Sequence, residues 1–329
     1  MISVIIATYN GEKYIEKQLL SIINQSVKPD EVIIRDDCSK DDTIKICNFI
    51  KTKNSDIKIH IIKNKTNLGF SKNFMNAIYS AKGDYIFLCD QDDLWYKDKI
   101  KDLVSIMKAN DYKLVSCNYD IINEDDTIIN NPGINFYCNK DDCTIDNITF
   151  NDILISSCIR GCSICLKKEI LVDGNYVPNL NLNLGHDWYL VFLALCSGKV
   201  ARYNKKLFGY RVHGTNLSLK SLKKKTTLSS TNDSRIEGFR QVVDILEHLR
   251  KQRFVRKALS HREIKLIDKN IHFFKNRILF TKNKSFLAFL WLLFHFNLYI
   301  RIVQNINKGF KLLISDCGYA FNLQLQIRR

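Results

Sequence analysis

Over the first 120 residues, short runs rich in β-branched and aromatic residues alternate with amphipathic helical patterns. The strand-like runs are Ser3–Ala7, Glu31–Arg35, Ile57–Ile62, Tyr85–Cys89 and Leu114–Cys117. Helical patterns lie between them, near Lys13–Asn24, Thr43–Lys51, Ser71–Ser80 and Asp98–Ala109. Strands joined by helices at this spacing predict an α/β fold with a mainly parallel sheet, because a parallel pair needs a crossover of a dozen or more residues. Ligands of such sheets bind beyond the carboxyl ends of the strands, so the residues just after each run are the ones to search.

The alternation weakens further on. Residues 118–150 are polar and rich in Asn and Asp, with Pro132 and Gly133, and read as a variable excursion, a hairpin followed by a loop. Apolar character returns at Ile153–Leu166, a helix is expected at Asp187–Ser197, and two strands at Val200–Tyr203 and Leu207–Val212. The composition changes again over 217–231, which reads as a linker. The domains expected are therefore 1–216, the linker 217–231, and a helical region 232–329 in which basic and apolar residues interleave without proline.

Charge divides along the same boundary. Residues 1–216 carry 27 Lys and Arg against 27 Asp and Glu, whereas 217–329 carry 23 against 7, so the whole net charge of +16 lies in the last third. A neutral body with a basic tail points to an anionic partner. With 46% hydrophobic and 26% charged residues and only 3 Pro, collagen-like and broadly disordered classes are excluded. No apolar run reaches the roughly 18–20 residues of a membrane span. Met1 leads straight into strand-like SVIIA, so no secretory signal is expected. The 11 Cys are odd in number and scattered through apolar runs, which suits reduced thiols in the cytoplasm.

A phosphate-cradling glycine loop of either common type is absent, and acidic residues stand at the strand ends instead. Ser39 to Asp42 are well explained as a cap for the helix that follows. Asp90, Asp92 and Asp93, directly after the apolar Phe87-Leu88-Cys89, are not. Three carboxylates within four residues repel one another unless a cation neutralises them, and hard oxygen ligands suit Mg²⁺ or Mn²⁺. Cys158, Cys162 and Cys165 superficially resemble half a zinc site, but no second pair follows at a matching spacing.

Taken together, SVIIATYNGEKYIEKQLLSIINQS, IIRDDCSKDDT, NLGFSKNF, GDYIFLCDQDDLW and GHDWYL resemble the inverting family 2 nucleotide-sugar glycosyltransferases of GT-A fold, over about residues 1–216. DQDDLW and YRVHGTN are similar in particular to bacterial rhamnosyltransferase-like enzymes of surface polysaccharide synthesis. The resemblance implies a Rossmann-like nucleotide-binding domain with a basic helical C-terminal extension. It implies Thr8, Tyr9 and Glu12 lining the base and ribose, and Asp37 accepting the pyrimidine N–H. Asp92 matches the direct metal ligand, Asp90 the ribose and metal shell, and Asp93 an outer contact. Asp187 matches the catalytic base, and His213 the histidine that completes the metal or diphosphate shell in some relatives. Gly161-Cys162-Ser163 matches an acceptor-side segment where a small residue lies beneath the sugar.

Outside the resemblance, Phe286–Phe294 is nine apolar residues with Lys282 and Lys284 before it and Arg301, Lys308 and Lys311 after it. That pattern suits a helix lying in a membrane interface, and a buried helix or dimer contact is the alternative. The expected partners are a nucleotide-sugar donor, a glycan or lipid-linked oligosaccharide acceptor, and an anionic membrane on its cytoplasmic face. Nucleic acid is not expected, because no zinc finger, RNP-like motif or GXXG loop accompanies the charge. An inactive nucleotide-sugar scaffold is the remaining alternative, and the intact Asp37, Asp92 and Asp187 argue against it.

Overall fold

Strands β1 (Ile2–Thr8), β2 (Glu31–Asp36), β3 (Lys58–Lys63) and β4 (Tyr85–Asp90) pair in parallel, in the order β3-β2-β1-β4. Helices α1 (Ile15–Ile23), α2 (Thr43–Lys53) and α3 (Phe70–Ser80) make the crossovers. Their registers align the strand ends. Ala7 sits opposite Arg35 on one side and Asp90 on the other, and Thr8 opposite Asp36, so the acidic residues emerge on one edge. The centres of β1, β2 and β4 are buried without alternation, as a sheet covered on both faces requires.

The computed structural model describes residues 1–130, 140–154, 159–171, 185–214, 216, 232–303 and 306–321. The expected linker 217–231 lies outside them, as does Cys158. Two units form, one of residues 1–149 and 158–214, the other of residues 150–157 and 215–329.

In the first unit the sheet continues through β5 (Leu94–Trp95), β6 (Tyr112–Ile122), β7 (Ile145–Ile148), β8 (Ile164–Lys167) and β9 (Lys199–Arg211). The order is β3-β2-β1-β4-β8-β6-β9-β5, with β7 also on β9. β8 lies between β4 and β6 and is antiparallel to both. It therefore starts beside the carboxyl end of β4, which brings the preceding residues 159–163 to the acidic edge. Helix α4 (Lys99–Asn110) precedes β6. α6 (His186–Ser197) passes through Gly198 directly into β9, which is parallel to β6. It thus descends across the sheet with its first residues, His186 and Asp187, at the carboxyl edge.

Two sequence expectations change here. The two strands expected at 200–203 and 207–212 are one continuous strand. The polar Asn204 between them is buried, and its amide donates to Thr144 and Asp146 at 2.9 and 2.8 Å. A break in register with β6 between Cys117 and Asn118 accommodates that segment. The 118–150 excursion begins as an extension of β6 and returns through the bridge Ile122–Ile128 and, later, β7; residues 131–139 lie outside the described part.

The second unit is helical: α5 (Phe150–Ile153), α7 (Asn232–Lys251), α8 (Arg253–Ala258), α9 (His261–Asn283), α10 (Phe286–Phe294), α11 (Phe296–Val303) and α12 (Ile306–Phe321). Ser260 and Glu263 form a reciprocal capping box at the start of α9. The core of this unit holds a charge cluster. Asp316 is fully buried and accepts from Arg277 at 2.7 and 3.0 Å and from Tyr299 at 2.7 Å, with Arg235 also paired to it. Burial opposes the ionised Asp316, yet the two guanidiniums hold its carboxyl below the usual range. No described helix is long and apolar enough to cross a membrane.

α10 presents an apolar face to solvent. Phe286, Leu287 and Phe294 are 68%, 79% and 86% exposed, and Leu293 is also exposed, while Ala288 and Leu292 are buried on the other side. Positions 286, 287, 293 and 294 recur at helical spacing and share one face.

Candidate active site

The carboxyl edge gathers residues that are far apart in sequence. After β4 the chain turns through Asp90, Gln91, Asp92 and Asp93. Asp93 is fully buried and accepts the backbone N–H of Arg211 at 3.2 Å. Asp92 faces outward, and its Oδ2 lies 2.7 Å from His213 Nε2. His213 in turn packs against the ring of Tyr14, with centroids 4.9 Å apart. Arg211, fully buried two residues earlier, donates to the Asp92 carbonyl at 2.7 Å and to the Asn123 carbonyl at 2.8 Å. The end of β9 therefore grips the acidic turn by its backbone and presents a histidine to its outermost carboxylate.

Gly161, Cys162 and Ser163 form a short 3-10 turn leading into β8. Sulfur and carboxylate oxygens of Cys162, Asp90 and Asp93 lie within 4.8 Å of one another. On its other side the turn meets α6. A side chain on Gly161 would stand 2.9 Å from His186 Nε2 and 3.7 Å from the Asp187 Cβ. The small residue here is thus required by His186, while Asp187 lies at ordinary contact distance. Gly185, with φ of +88°, opens the helix, and a Cβ on it would strike the Asp187 carboxylate at 2.4 Å. Asp187 Oδ1 accepts the Trp188 N–H at 2.8 Å, so the carboxylate folds back over the helix start.

Burial sets the electrostatics. It pushes Asp187 up to about 6, while hydrogen bonds from the Trp188 and Gly161 N–H groups and the charge of Arg160 hold it from rising further. Asp90 is pushed up to about 7, first by burial and then by the charge of Asp92, with Asp187 adding to the repulsion. Asp93 is raised by burial and by Asp90 and Asp92, and the Lys99 ammonium opposes this. His186 is driven down to about 3 by burial alone; its ring stacks on Phe74 at 4.3 Å and it is neutral.

The carboxylates are the residues that could hold a cation. Asp90 and Asp92 reach the surface, Asp93 supports them from within, and one of its buried oxygens has no hydrogen-bond partner among the described residues. This oxygen-rich set fits Mg²⁺ or Mn²⁺ better than a softer metal. Cys162 is a poor thiolate, since burial pushes its thiol well up. Among the described residues Cys165 belongs to no cluster of potential metal ligands, and Cys158 lies outside them.

The nucleotide-side residues are placed less uniformly. Tyr9 is 48% exposed just past β1. Thr8 is buried and donates its hydroxyl to its register partner Asp36 at 3.0 Å. Glu12 accepts the Asp42 N–H at 2.8 Å and caps α2. Asp37 accepts from Asn64, Leu68 N–H and Gly69 N–H, all at 2.8 Å. A carboxylate offers about four lone-pair directions, and the described residues fill three of them.

Three further residues bear on the site, and sequence reasoning missed them. Lys99 is fully buried beneath the acidic turn. Its ammonium donates to the Cys162 carbonyl at 2.7 Å and lies 4.0 and 4.1 Å from the rings of Trp95 and Phe208. Arg160 donates to Tyr119 at 2.7 Å and sits 4.6 Å from the Tyr210 ring. Arg211, within YRVHGTN, is the residue at the end of β9 that grips the acidic turn.

Comparison with known proteins agrees with this geometry. The chain matches the family described as Glycosyl transferase family 2 over residues 3–168. It is 31% identical over 240 residues to the dTDP-rhamnosyl transferase RfbG of Shigella flexneri, covering 68% of this chain and 78% of that protein. It is 29% identical over 231 residues to WfaP of Escherichia coli, a UDP-Glc:α-D-GlcNAc-diphosphoundecaprenol β-1,3-glucosyltransferase, covering 68% and 82%. Among solved structures, residues 1–349 of S. aureus TarS in complex with UDP superpose with a TM-score of 0.59 at 18% identity, covering 98% of this chain and 88% of that one. That likeness concerns the fold, which is of GT-A type. The acidic edge, the mixed sheet and the matched segment agree, and the chain belongs to glycosyl transferase family 2.

Proposed function

We propose that this chain is a metal-dependent inverting glycosyltransferase. It moves a hexose, rhamnose or another, from a dTDP or UDP donor to a glycan or lipid-linked acceptor in cell-surface polysaccharide synthesis. The observation that carries the reading is the convergence of Asp187 with the acidic turn at one sheet edge, bridged by Gly161 and Cys162. The names of the relatives, a dTDP-rhamnosyl transferase and a glucosyltransferase acting on a diphosphoundecaprenol-linked sugar, support the donor and acceptor classes.

An acceptor hydroxyl is a weak nucleophile, and a carboxylate must take its proton as the anomeric carbon is attacked. Asp187 has the properties for this: burial raises its basicity, and at neutral pH a carboxyl pushed up to about 6 is still mostly ionised. Tyr9 and Asp37 would receive the base, and Asp90 and Asp92, with His213 behind Asp92, would hold a divalent cation. When bound, Mg²⁺ or Mn²⁺ offsets the negative charge that develops on the departing nucleoside diphosphate.

The second unit supplies the membrane surface in this reading. The exposed face of α10 and the +16 charge of residues 217–329 combine the two terms on which interfacial helices depend. The chain would then act as a peripheral protein on the cytoplasmic face, where lipid-linked acceptors are presented.

The test is donor turnover: full-length protein with a panel of UDP- and dTDP-sugars and Mn²⁺, read as release of nucleoside diphosphate. Slow hydrolysis of one donor supports the reading, and none across the panel opposes it.

A further inference from the structure

Gln91, between Asp90 and Asp92, points its amide across the sheet edge to β1. The Tyr9 N–H donates to Gln91 Oε1 at 2.9 Å, and Gln91 Nε2 donates to the Tyr9 carbonyl at 3.1 Å. The β1–β4 ladder ends at Ala7 and Asp90. Beyond it, one primary amide replaces a neighbouring strand and satisfies both main-chain groups of Tyr9. Room for this comes from Gly11, two residues past Tyr9. A Cβ on Gly11 would lie 2.2 Å from Gln91 Oε1 and 2.5 Å from its Cδ. Gly11 does not have a positive φ, so its lack of a side chain serves the amide and not the backbone.

We infer that Gln91 is a positioning residue that couples the cation-bearing turn to Tyr9, so that cation binding and base stacking are thermodynamically linked. The inference rests on the function proposed above. A cation on Asp90 and Asp92 fixes the turn, the turn fixes the Gln91 amide, and the amide fixes the backbone from which the Tyr9 ring projects. Coupling between two sites is reciprocal, so nucleotide tightens cation binding by the factor by which cation tightens nucleotide binding.

The test is calorimetric titration of the full chain with UDP and dTDP, with and without Mn²⁺, the ratio of the two affinities being the coupling. Gln91→Ala removes two hydrogen bonds and is expected to reduce that ratio by about tenfold. Gly11→Ala, which must displace only the end of a flexible side chain, is expected to fold and to reduce the ratio similarly. In Gln91→Ala the same alanine at Gly11 meets no amide, so the double variant is expected to match Gln91→Ala alone. Thermal unfolding distinguishes this from simple destabilisation, since a merely structural role would lower the midpoint without altering the ratio. A wild-type ratio in Gln91→Ala, or additive losses in the double variant, would overturn the coupling while leaving the enzyme assignment intact. If the wild-type chain binds neither nucleotide, the functional reading fails, and the coupling with it.

Discussion

His213 Nε2 lies 2.7 Å from Asp92 Oδ2 although 121 residues separate the two in sequence. The contact exists because β9 runs along the outer sheet and ends at the same edge as β4, with Arg211 buried between them. Asp92→Ala is expected nearly to abolish Mn²⁺-dependent nucleotide binding, and His213→Ala to weaken it by about tenfold, the scale of one charge-assisted hydrogen bond. Calorimetry with UDP or dTDP plus Mn²⁺ decides this. Unchanged affinity in either variant would remove that residue from the cation shell.

Asp187→Asn should separate stability from transfer. Burial raises the Asp187 carboxyl from its ordinary 3.8 to about 6, so between those values the folded chain holds a proton that the unfolded chain has released. Folding stability contributed by this group is present below pH 4 and lost as pH rises through about 6, by on the order of 3 kcal/mol. Asparagine cannot ionise, so the variant should be more stable than the parent above pH 6 and indistinguishable below pH 4. Transfer should fall by at least ~10²-fold with nucleotide affinity retained. Denaturant unfolding at pH 4 and 8 measures the first effect.

Lys99→Met should be costly despite its apolar surroundings. The ammonium donates to the buried Cys162 carbonyl and is the charge that opposes the rise of the Asp93 carboxyl, so its removal leaves that carbonyl unsatisfied, a loss of about 2 kcal/mol. A midpoint unchanged from wild type in urea would show that the Lys99 hydrogen bond contributes nothing to stability.

The parallel half of the fold was legible because each strand is a closed apolar run and each crossover carries its own helical period. The acidic edge was legible for the same reason: Asp90 and Asp92 stand where an apolar run stops. Orientation within the edge was not. Thr8 belongs to the expected nucleotide set, and only the parallel register reveals that Asp36 stands beside it and accepts its hydroxyl. Lys99 opens an amphipathic helix like any surface lysine, and only β9 and the Gly161 turn, both distant in sequence, reveal its burial. Asn204 looked like a break between strands because its partners, Thr144 and Asp146, come from a polar segment with no strand signal.

Phe286, Leu287 and Phe294 changed together to Ser should abolish flotation of the full chain with anionic vesicles and leave donor hydrolysis unchanged. The wild type should float with anionic but not neutral vesicles and be partly released by salt, since exposed charges are screened beyond about 10 Å at 0.1 M. Equal flotation of both proteins would assign this face of α10 to something other than a lipid surface.

Inverting sugar transfer with Asp187 as base is read in the configuration of the first sugar released. Full-length protein is incubated with the nucleotide sugar it consumes and Mn²⁺, and the anomeric proton is followed by NMR before mutarotation equilibrates the product. Release with inverted configuration is expected, with a loss of at least ~10²-fold in rate for Asp187→Asn. Release with retained configuration, or an Asp187→Asn variant as fast as wild type, would contradict it.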